Sequence, residues 1–438
     1  YCHTQPHFLS IVSQKEIMRF SLLFFCMLSV RPLVAEDYPP GTFEYTPRVD
    51  LGLRPVVVDR LPERMLNLPA GFKVRFFSGE VNHARFMAFD ENDVLHVGNF
   101  NTQRSGYWHK DPWRDATVLA MPDFNRDGQA DRVYVAADDL QLPHSVAFYK
   151  GHMYVADHNE IYKMYDGDGD GYYEEREKLI SVPGIMGRPS EHITHTLLFD
   201  EQKEKLYLHV GSGCDLCRED DPERATIMQF NADGTERRIY ASGIRNAVGL
   251  DLHPITGQLW AAGHGHDREG RSLPPEWVSI ILPDTFHGWP FAYAYRSWID
   301  FSDPVYAKEM LPITAQDSAL VKQMQRPTVL VDAHLGPMGL HFYTHEQFPQ
   351  RYKNAAFIAF HAGTGSSFDP GYKVSVIFSN PDGTNARIAD FMTGFRPDPD
   401  EGFYWAQPMG LVTDSEGYLY MSSDLVTPGI FRIEYNPQ

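Results

Sequence analysis

The stretch Ser190–Asp200, SEHITHTLLFD, sets His192 and His195 three residues apart at the head of an apolar run. A neutral imidazole can take a proton near pH 7 or bind a metal. On a helix this spacing lets both rings reach one ion. On a strand, neighbouring side chains alternate between faces and these two point apart. The LLFD that follows reads as strand, so His192 is expected to be the ring available for chemistry. His195 is expected to pack between neighbouring elements.

Two further stretches carry ligand chemistry. Residues 166–177, DGDGDGYYEERE, place Asp166, Asp168, Asp170, Gly171 and Glu177 at the offsets of a calcium loop. No convincing helices flank it, so calcium there would staple loops and do no chemistry. A second loop, from Asp123, has Tyr134 where the bidentate carboxylate should stand and reads as an Asp-Gly turn. The motif CDLC holds Cys214 and Cys217. Arg218 stands where haem attachment needs a histidine, and zinc would need two more soft ligands nearby. In an oxidising compartment the pair reads as a local disulfide that stiffens a loop.

The elements that must position these groups repeat. Six segments share one outline, a polar or proline-containing lead, a short apolar strand, a turn and a second strand. They begin at Ala84, Pro143, Glu191, Ile244, Gly336 and Ala406. Their matching second-strand residues, Leu95, Met153, Leu206, Leu259, Phe357 and Leu419, are separated by 58, 53, 53, 98 and 62 residues. One four-stranded blade takes roughly 40–50 residues. The pattern therefore predicts an all-β, six-bladed β-propeller, with an insertion in the longest interval. The leading residues would form a ring about the axis: Arg85, His144, His192, Arg245 with Asn246, Pro337 (His334 just before it) and Gln407. That ring is polar and partly cationic, which suits a polar, anionic ligand.

The balance of 58 acidic against 39 basic residues, a formal net charge of −19, speaks against nucleic acid as a partner. Residues 18–35 have the anatomy of a signal peptide. Met18 and a basic residue precede an apolar run from Leu22 to Leu28, and Leu33-Val34-Ala35 offers cleavage after Ala35. The run is too short to span a bilayer, so no stable membrane insertion is expected and the protein is read as periplasmic or secreted. Cys26 raises lipidation as an alternative, with the bulky Phe25 against it. Cys2 and Cys26 fall outside the expected mature chain. The domain reading is 1–35 upstream sequence and leader, 36–68 an N-terminal extension, and 69–438 the propeller.

The segments EHITHTLLF, KLYLHVGSGCDLCRED, GIRNAVGLDLHP, LPPEW, FHGWP, GYKV and PMGLVTDSEGYLYMSSD, in that order, resemble the glucose/sorbosone dehydrogenase family. The resemblance covers most of the chain from about residue 69. It implies a periplasmic six-bladed enzyme that uses pyrroloquinoline quinone (PQQ) and calcium to oxidise a small sugar, passing electrons to an acceptor the sequence does not identify. It further implies His192 as general base, with Arg245 and Asn246 on the quinone oxygens. Calcium would sit on backbone carbonyls at Asp267 and Arg268. Lys373 and Gln407 would lie among the cofactor contacts. The chain departs from the family pattern at Gly265, at Arg271 and at Gln407, where acidic or basic residues are usual. A second reading therefore stands beside the first, a PQQ-less propeller that binds a carbohydrate or another periplasmic ligand. A calcium-dependent lactonase is a third.

Overall fold

The structure, a computed structural model, describes residues 43–100, 116–184, 191–362, 370–398, 400 and 402–437. The expected leader, with Cys2, Met18, Cys26 and Ala35, lies outside them.

Six sheets of at least four antiparallel strands form six blades of a propeller. Blade 1 is Ala84–Phe89, Leu95–Asn99, Ala116–Met121 and Tyr134–Leu140. Blade 2 is Ser145–Tyr149, His152–Asp157, Glu160–Tyr165 and Glu175–Ser181. Blade 3 is Leu197–Asp200, Lys205–Val210, Thr226–Asn231 and Arg238–Ser242; blade 4 is Gly249–Leu252, Leu259–Gly263, Glu276–Ile281 and Val329–Val331. Blade 5 is Pro337–Phe342, Ala356–Phe360, Lys373–Phe378 and Arg387–Met392. Blade 6 takes Pro408–Thr413, Leu419–Ser423 and Gly429–Tyr435 from the C-terminal end and closes with Phe72–Ser78 from the other end of the chain. The six repeated hairpins are thus the two innermost strands of each blade.

Each blade buries both faces against its neighbours, so the second strands are apolar without a break in burial, as in Leu95–Asn99, Ala356–Phe360 and Leu419–Ser423. The cores lie between blades. Val118 and Leu140 of blade 1 pack on Val146 and Met153 of blade 2. Trp260 and Val278 of blade 4 pack on Ile358 and Phe360 of blade 5. Close approach at the axis needs glycine. A Cβ at Gly249 would stand 2.2 Å from the Met338 carbonyl oxygen of the next blade, and one at Gly339 would stand 2.6 Å from that of Met409. The repeated VGL and MGL tripeptides reflect this packing.

Two additions decorate the ring. The hairpin Arg54–Val58 with Leu61–Leu68 buries Val58, Leu66 and Leu68 in the core shared by blades 5 and 6. The insertion in the longest interval lies between the third and fourth strands of blade 4. It holds the helices Pro304–Met310 and Ala315–Lys322, and a two-residue strand, Thr285–Phe286, that adds in parallel to blade 3. Thr314 caps the second helix in a reciprocal capping box with Asp317. The insertion has its own core, in which Phe286, Trp289, Tyr306 and Met310 enclose Leu216 from the CDLC loop.

Candidate functional site

In every hairpin the inner strand begins where the second strand ends, as the pairs Ala84 with Asn99, Pro337 with Phe360 and Pro408 with Ser423 show. The leading residues therefore meet the residues that close the second strands at one mouth of the propeller. Polar contacts tie this mouth together blade by blade. The Phe86 N–H donates to the His144 carbonyl at 3.0 Å, and His144 Nδ1 donates to the His195 carbonyl at 3.2 Å. The Ser212 N–H donates to the Arg245 carbonyl at 2.8 Å, and His264 Nε2 to the Pro337 carbonyl at 2.6 Å. His361 Nε2 reaches Asp424 at 2.9 Å, and Asp424 returns to Arg85 of blade 1 at 2.7 Å.

His192 sits in this ring, partly open to solvent. Residues 191–196 precede the inner strand of blade 3, which starts only at Leu197, so strand alternation is not what parts the two histidines. They diverge because their Nδ1 atoms bond different groups. His195 Nδ1 donates to the His209 carbonyl at 3.2 Å inside the protein, whereas His192 Nδ1 meets the Ser212 hydroxyl at 2.9 Å. That hydroxyl spends its proton on the Cys214 carbonyl at 2.6 Å, so it can only accept from His192. His192 is therefore the Nδ1–H tautomer, and its Nε2 lone pair has no partner among the described residues. Burial pushes the imidazole well below its ordinary value, and Arg245 and His264 push it further, so the ring is neutral.

Beside it stand Arg245 and Asn246. A Cβ added at Gly211 would lie 2.5 Å from His192 Cβ and 3.2 Å from Asn246 Oδ1, so the base and the amide both pack closely on this glycine. Asn246 Oδ1 is buried without a hydrogen-bond partner. The Arg245 guanidinium is held at 2.7 Å by Asp215 and at 3.1 Å by Asp267. Burial alone would raise the Asp215 carboxyl, but Arg245 and the Tyr306 hydroxyl outweigh it and hold it low. Glu276, buried in blade 4 and bonded to the Gly336 N–H at 2.8 Å, is instead raised well above the carboxylate range, by burial first and then by Asp267.

Gln407 is also in the ring, but its amide donates to the His361 carbonyl at 3.1 Å. Lys373 is not brought there. It begins the third strand of blade 5 and pairs at 3.0 Å with Asp390 of the outermost strand, a carboxylate that Arg48 also faces. Asp267 turns its carboxylate to Arg245. Arg268 turns its guanidinium out to Asp303 at 3.1 Å, while its N–H donates to Tyr306 at 3.1 Å. Neither side chain is aimed as a metal ligand, so any calcium at this loop must use carbonyls.

The acidic loop also differs from its expected ligand set. Asp166, Asp168, Asp170 and Glu174 converge, with all four ligand oxygens within 4.8 Å of one another. Glu177 is excluded because the fourth strand of blade 2 already begins at Glu175. It pairs there with Lys163, and its carboxylate accepts from the Tyr165 hydroxyl at 2.8 Å. Cys214 and Cys217 form a disulfide.

Sequence reasoning missed the second contributor from each blade, a polar residue at the end of the second strand or within two residues after it. Asn99, Asp157, Ser212, His264, His361 and Asp424 all stand at the mouth. Their signal was present in the repeats, since a polar residue follows the apolar stretch of each second strand within two residues.

Comparison with known proteins places this geometry. The model of a family described as a domain of unknown function, DUF7133, matches residues 62–363, and a model described as TrAA12-like matches residues 294–436. An uncharacterized protein of Borreliella burgdorferi is 23% identical over 385 residues, covering 84% of this chain and 91% of that protein. Solved structures with the same fold include the holo form of the pyranose dehydrogenase PQQ domain from Coprinopsis cinerea. It is 19% identical with a TM-score of 0.65, covering 85% of this chain and 98% of that one. The calcium structure of the family AA12 enzyme from Trichoderma reesei is 19% identical with a TM-score of 0.66, covering 91% and 99%. The PQQ-bound aldose sugar dehydrogenase of Streptomyces coelicolor is 14% identical with a TM-score of 0.56, covering 84% and 99%. At these identities the likeness is one of fold. Among the described residues no helix is long and apolar enough to cross a membrane.

Proposed function

We propose that this chain, which belongs to the DUF7133 family, is an exported dehydrogenase that oxidises a small sugar with PQQ as its electron acceptor and His192 as its base. The observation that carries the reading is His192 itself, a neutral imidazole in a fixed tautomer, partly open to solvent, whose Nε2 lone pair has no partner among the described residues. Oxidising a carbinol requires a base for the hydroxyl proton while hydride leaves carbon. When bound, PQQ supplies the two-electron acceptor for that hydride. The residues at the blade 3–4 side fit such a group. Arg245 and the Asn246 amide nitrogen present N–H donors for quinone oxygens, and the orphaned Asn246 Oδ1 can accept from a sugar hydroxyl. Calcium is assigned to the carbonyls of Asp267 and Arg268, which accept no hydrogen bond among the described residues. Gln407 would contribute its unpartnered Oε1 from the opposite side.

One observation favours a second reading, a PQQ-less propeller that binds a carbohydrate. The ring cations Arg85 and Arg245 are each already paired with a carboxylate, and Lys373, expected among the cofactor contacts, pairs with Asp390. Reconstitution with PQQ and calcium separates the two. The dehydrogenase reading expects a bound-quinone absorption band that sugar bleaches, and dye reduction that depends on sugar. Sugar binding without any quinone uptake would put the second reading first.

The acidic loop supports a separate calcium role, holding blade 2 loops through Asp166, Asp168, Asp170 and Glu174. Calcium at a hundred times its Kd stabilises by about 2.7 kcal/mol. That melting shift should be lost in Glu174→Gln and kept in Glu177→Gln. Loss in both would return Glu177 to the ligand set.

A further inference from the structure

The disulfide loop stands next to both groups on which the proposed chemistry depends. The Cys214 carbonyl accepts the Ser212 hydroxyl at 2.6 Å, and the same hydroxyl accepts His192 Nδ1–H at 2.9 Å. The next residue, Asp215, holds Arg245 by two atoms, its carbonyl at 3.0 Å from Nε and its Oδ1 at 2.7 Å from the guanidinium. Asp215 is in turn fixed from three sides. The Trp289 indole N–H donates to its carbonyl at 3.1 Å, the Tyr306 hydroxyl to Oδ2 at 2.6 Å and the Asp267 N–H to Oδ1 at 3.0 Å. Leu216 is buried among the aromatic residues of the insertion, and the Cys214–Cys217 bond closes the loop over it.

We propose that the disulfide-closed loop Cys214–Cys217 is the positioning element of the site, setting the His192 tautomer through the Cys214 carbonyl and Ser212 and the Arg245 orientation through Asp215. This rests on the reading of His192 as base. Two consecutive residues thereby fix the proton acceptor and the cation in one frame, and the insertion anchors that frame. The Ser212 carbonyl, 3.3 Å from Nδ1, favours the Nδ1–H form through a long contact, while the nearer hydroxyl, at 2.9 Å, could donate or accept. The Cys214 carbonyl removes the choice by engaging the hydroxyl proton. The disulfide ties Cys214 to the far end of the loop and so keeps its carbonyl in place, while Asp215 has its own anchors in Trp289, Tyr306 and Asp267. Asp215 and Ser212 are positioning residues, since they bond Arg245 and the Nδ1 side of His192.

The test reads the His192 ring directly in cofactor-free protein. Isotope-labelled histidine in the wild-type apoprotein, with His192 assigned by the signal missing from His192→Ala, should show one Nδ1–H tautomer. The double variant Cys214→Ser, Cys217→Ser should show a mixture with the Nε2–H form. A single Nδ1–H tautomer in the folded double variant would overturn the proposal. Should that variant not fold, Ser212→Ala leaves the disulfide intact and should raise the Nε2–H fraction, and Ser212→Thr should restore the wild-type spectrum. No change in Ser212→Ala would likewise overturn it. Because the spectrum needs no cofactor, its outcome is separate from that of PQQ reconstitution. Where turnover is obtained, the double cysteine variant should lose about 10²-fold in kcat with little change in KM, the scale of a displaced catalytic group. Unchanged kcat would count against the proposal.

Discussion

Two sides of the same mouth use similar parts to different ends. On the blade 3–4 side, His192 stands beside Arg245, and the carboxylates Asp215 and Asp267 bind the arginine and not the histidine. On the blade 5–6–1 side, His361 and Arg85 share one buried carboxylate, Asp424, at 2.9 and 2.7 Å, with His83 at 3.3 Å. Both sides bury an arginine with its counter-charge. They differ in where the histidine's Nε2 goes. Asp424 occupies it in His361, while in His192 a hydroxyl and a carbonyl occupy Nδ1 and leave Nε2 open. The residue types alone would make either ring a candidate base. Hydrogen-bond bookkeeping separates a ring set up to take a proton from one that locks blades 5 and 6 together.

The largest expected effect tests that separation. His192→Ala should cost about 10²–10⁴-fold in turnover, the usual scale for loss of a general base, with the melting temperature almost unchanged. His361→Ala should change the rate little and lower the melting temperature, because it removes a partner from the buried Asp424. A steady-state assay and a thermal melt on both variants check this. If the two effects exchange places, the roles of the two sides exchange with them.

The carboxylates give the next contrast. Asp424→Ala leaves Arg85 buried and without its carboxylate, at a cost of about 3–5 kcal/mol. Asp215→Ala leaves Arg245 with Asp267 and should cost about 2 kcal/mol, the scale of hydrogen bonds to a charged group. Denaturant unfolding of the two variants measures the difference. Equal costs would mean that the second carboxylate on Arg245 is idle.

Protons sharpen the comparison further. Burial lowers His195 to about 4, and it lowers His264 and His287 to about 3, with smaller contributions from neighbours. His144, His192 and His209 are also well below the ordinary value. The unfolded chain therefore binds more protons than the folded one once pH falls below about 6.5. Stability from these rings is full above that pH and is lost between 6.5 and about 3, with a slope of about 1.4 kcal/mol per pH unit for each proton taken up. Asp424 runs later. Its carboxyl is buried, but His361 and His83 hold it well below 3.8, so its contribution is full above that value and lost only as pH falls through its folded value. A pH series of melts should show blades 2 to 4, rich in these histidines, failing first. Hydrogen exchange resolved by blade would show the reverse order if the assignment is wrong.

The fold was legible because six copies of one hairpin leave few alternatives. Glycines at fixed places, such as Gly249 and Gly339, are demanded by blade-to-blade contact. His192, Arg245 and Asn246 were legible for the same reason, as equivalent leading residues of their copies. What could not be read was pairing between blades. The resemblance set Lys373 of GYKV among the cofactor contacts, yet Asp390, in the next strand, pairs with it. Asp424 follows a second strand near the C-terminal end and meets Arg85 more than three hundred residues earlier. Glu177 matched a loop pattern by offset, but the strand beginning at Glu175 claimed it, and Glu174 fills its place. In each case a local pattern was correct and a neighbouring element decided the partner.

The smallest expected effect concerns the two buried amides, one on each side. Asn246 Oδ1 and Gln407 Oε1 are both buried without a partner, but only Gln407 has its amide nitrogen engaged, on the His361 carbonyl. Gln407→Ala should therefore cost about 1 kcal/mol for one lost hydrogen bond. Asn246→Ala removes an unpartnered acceptor, so no bond is lost and the melting temperature should stay within the error of the measurement. Its effect should appear in binding, as weaker uptake of sugar or quinone beside His192, while Gln407→Ala weakens uptake less. Calorimetric titration alongside the melts distinguishes the two. If Asn246→Ala destabilises the protein and binds normally, its amide belongs to the blade 3–4 packing and the open side of the mouth is His192 alone.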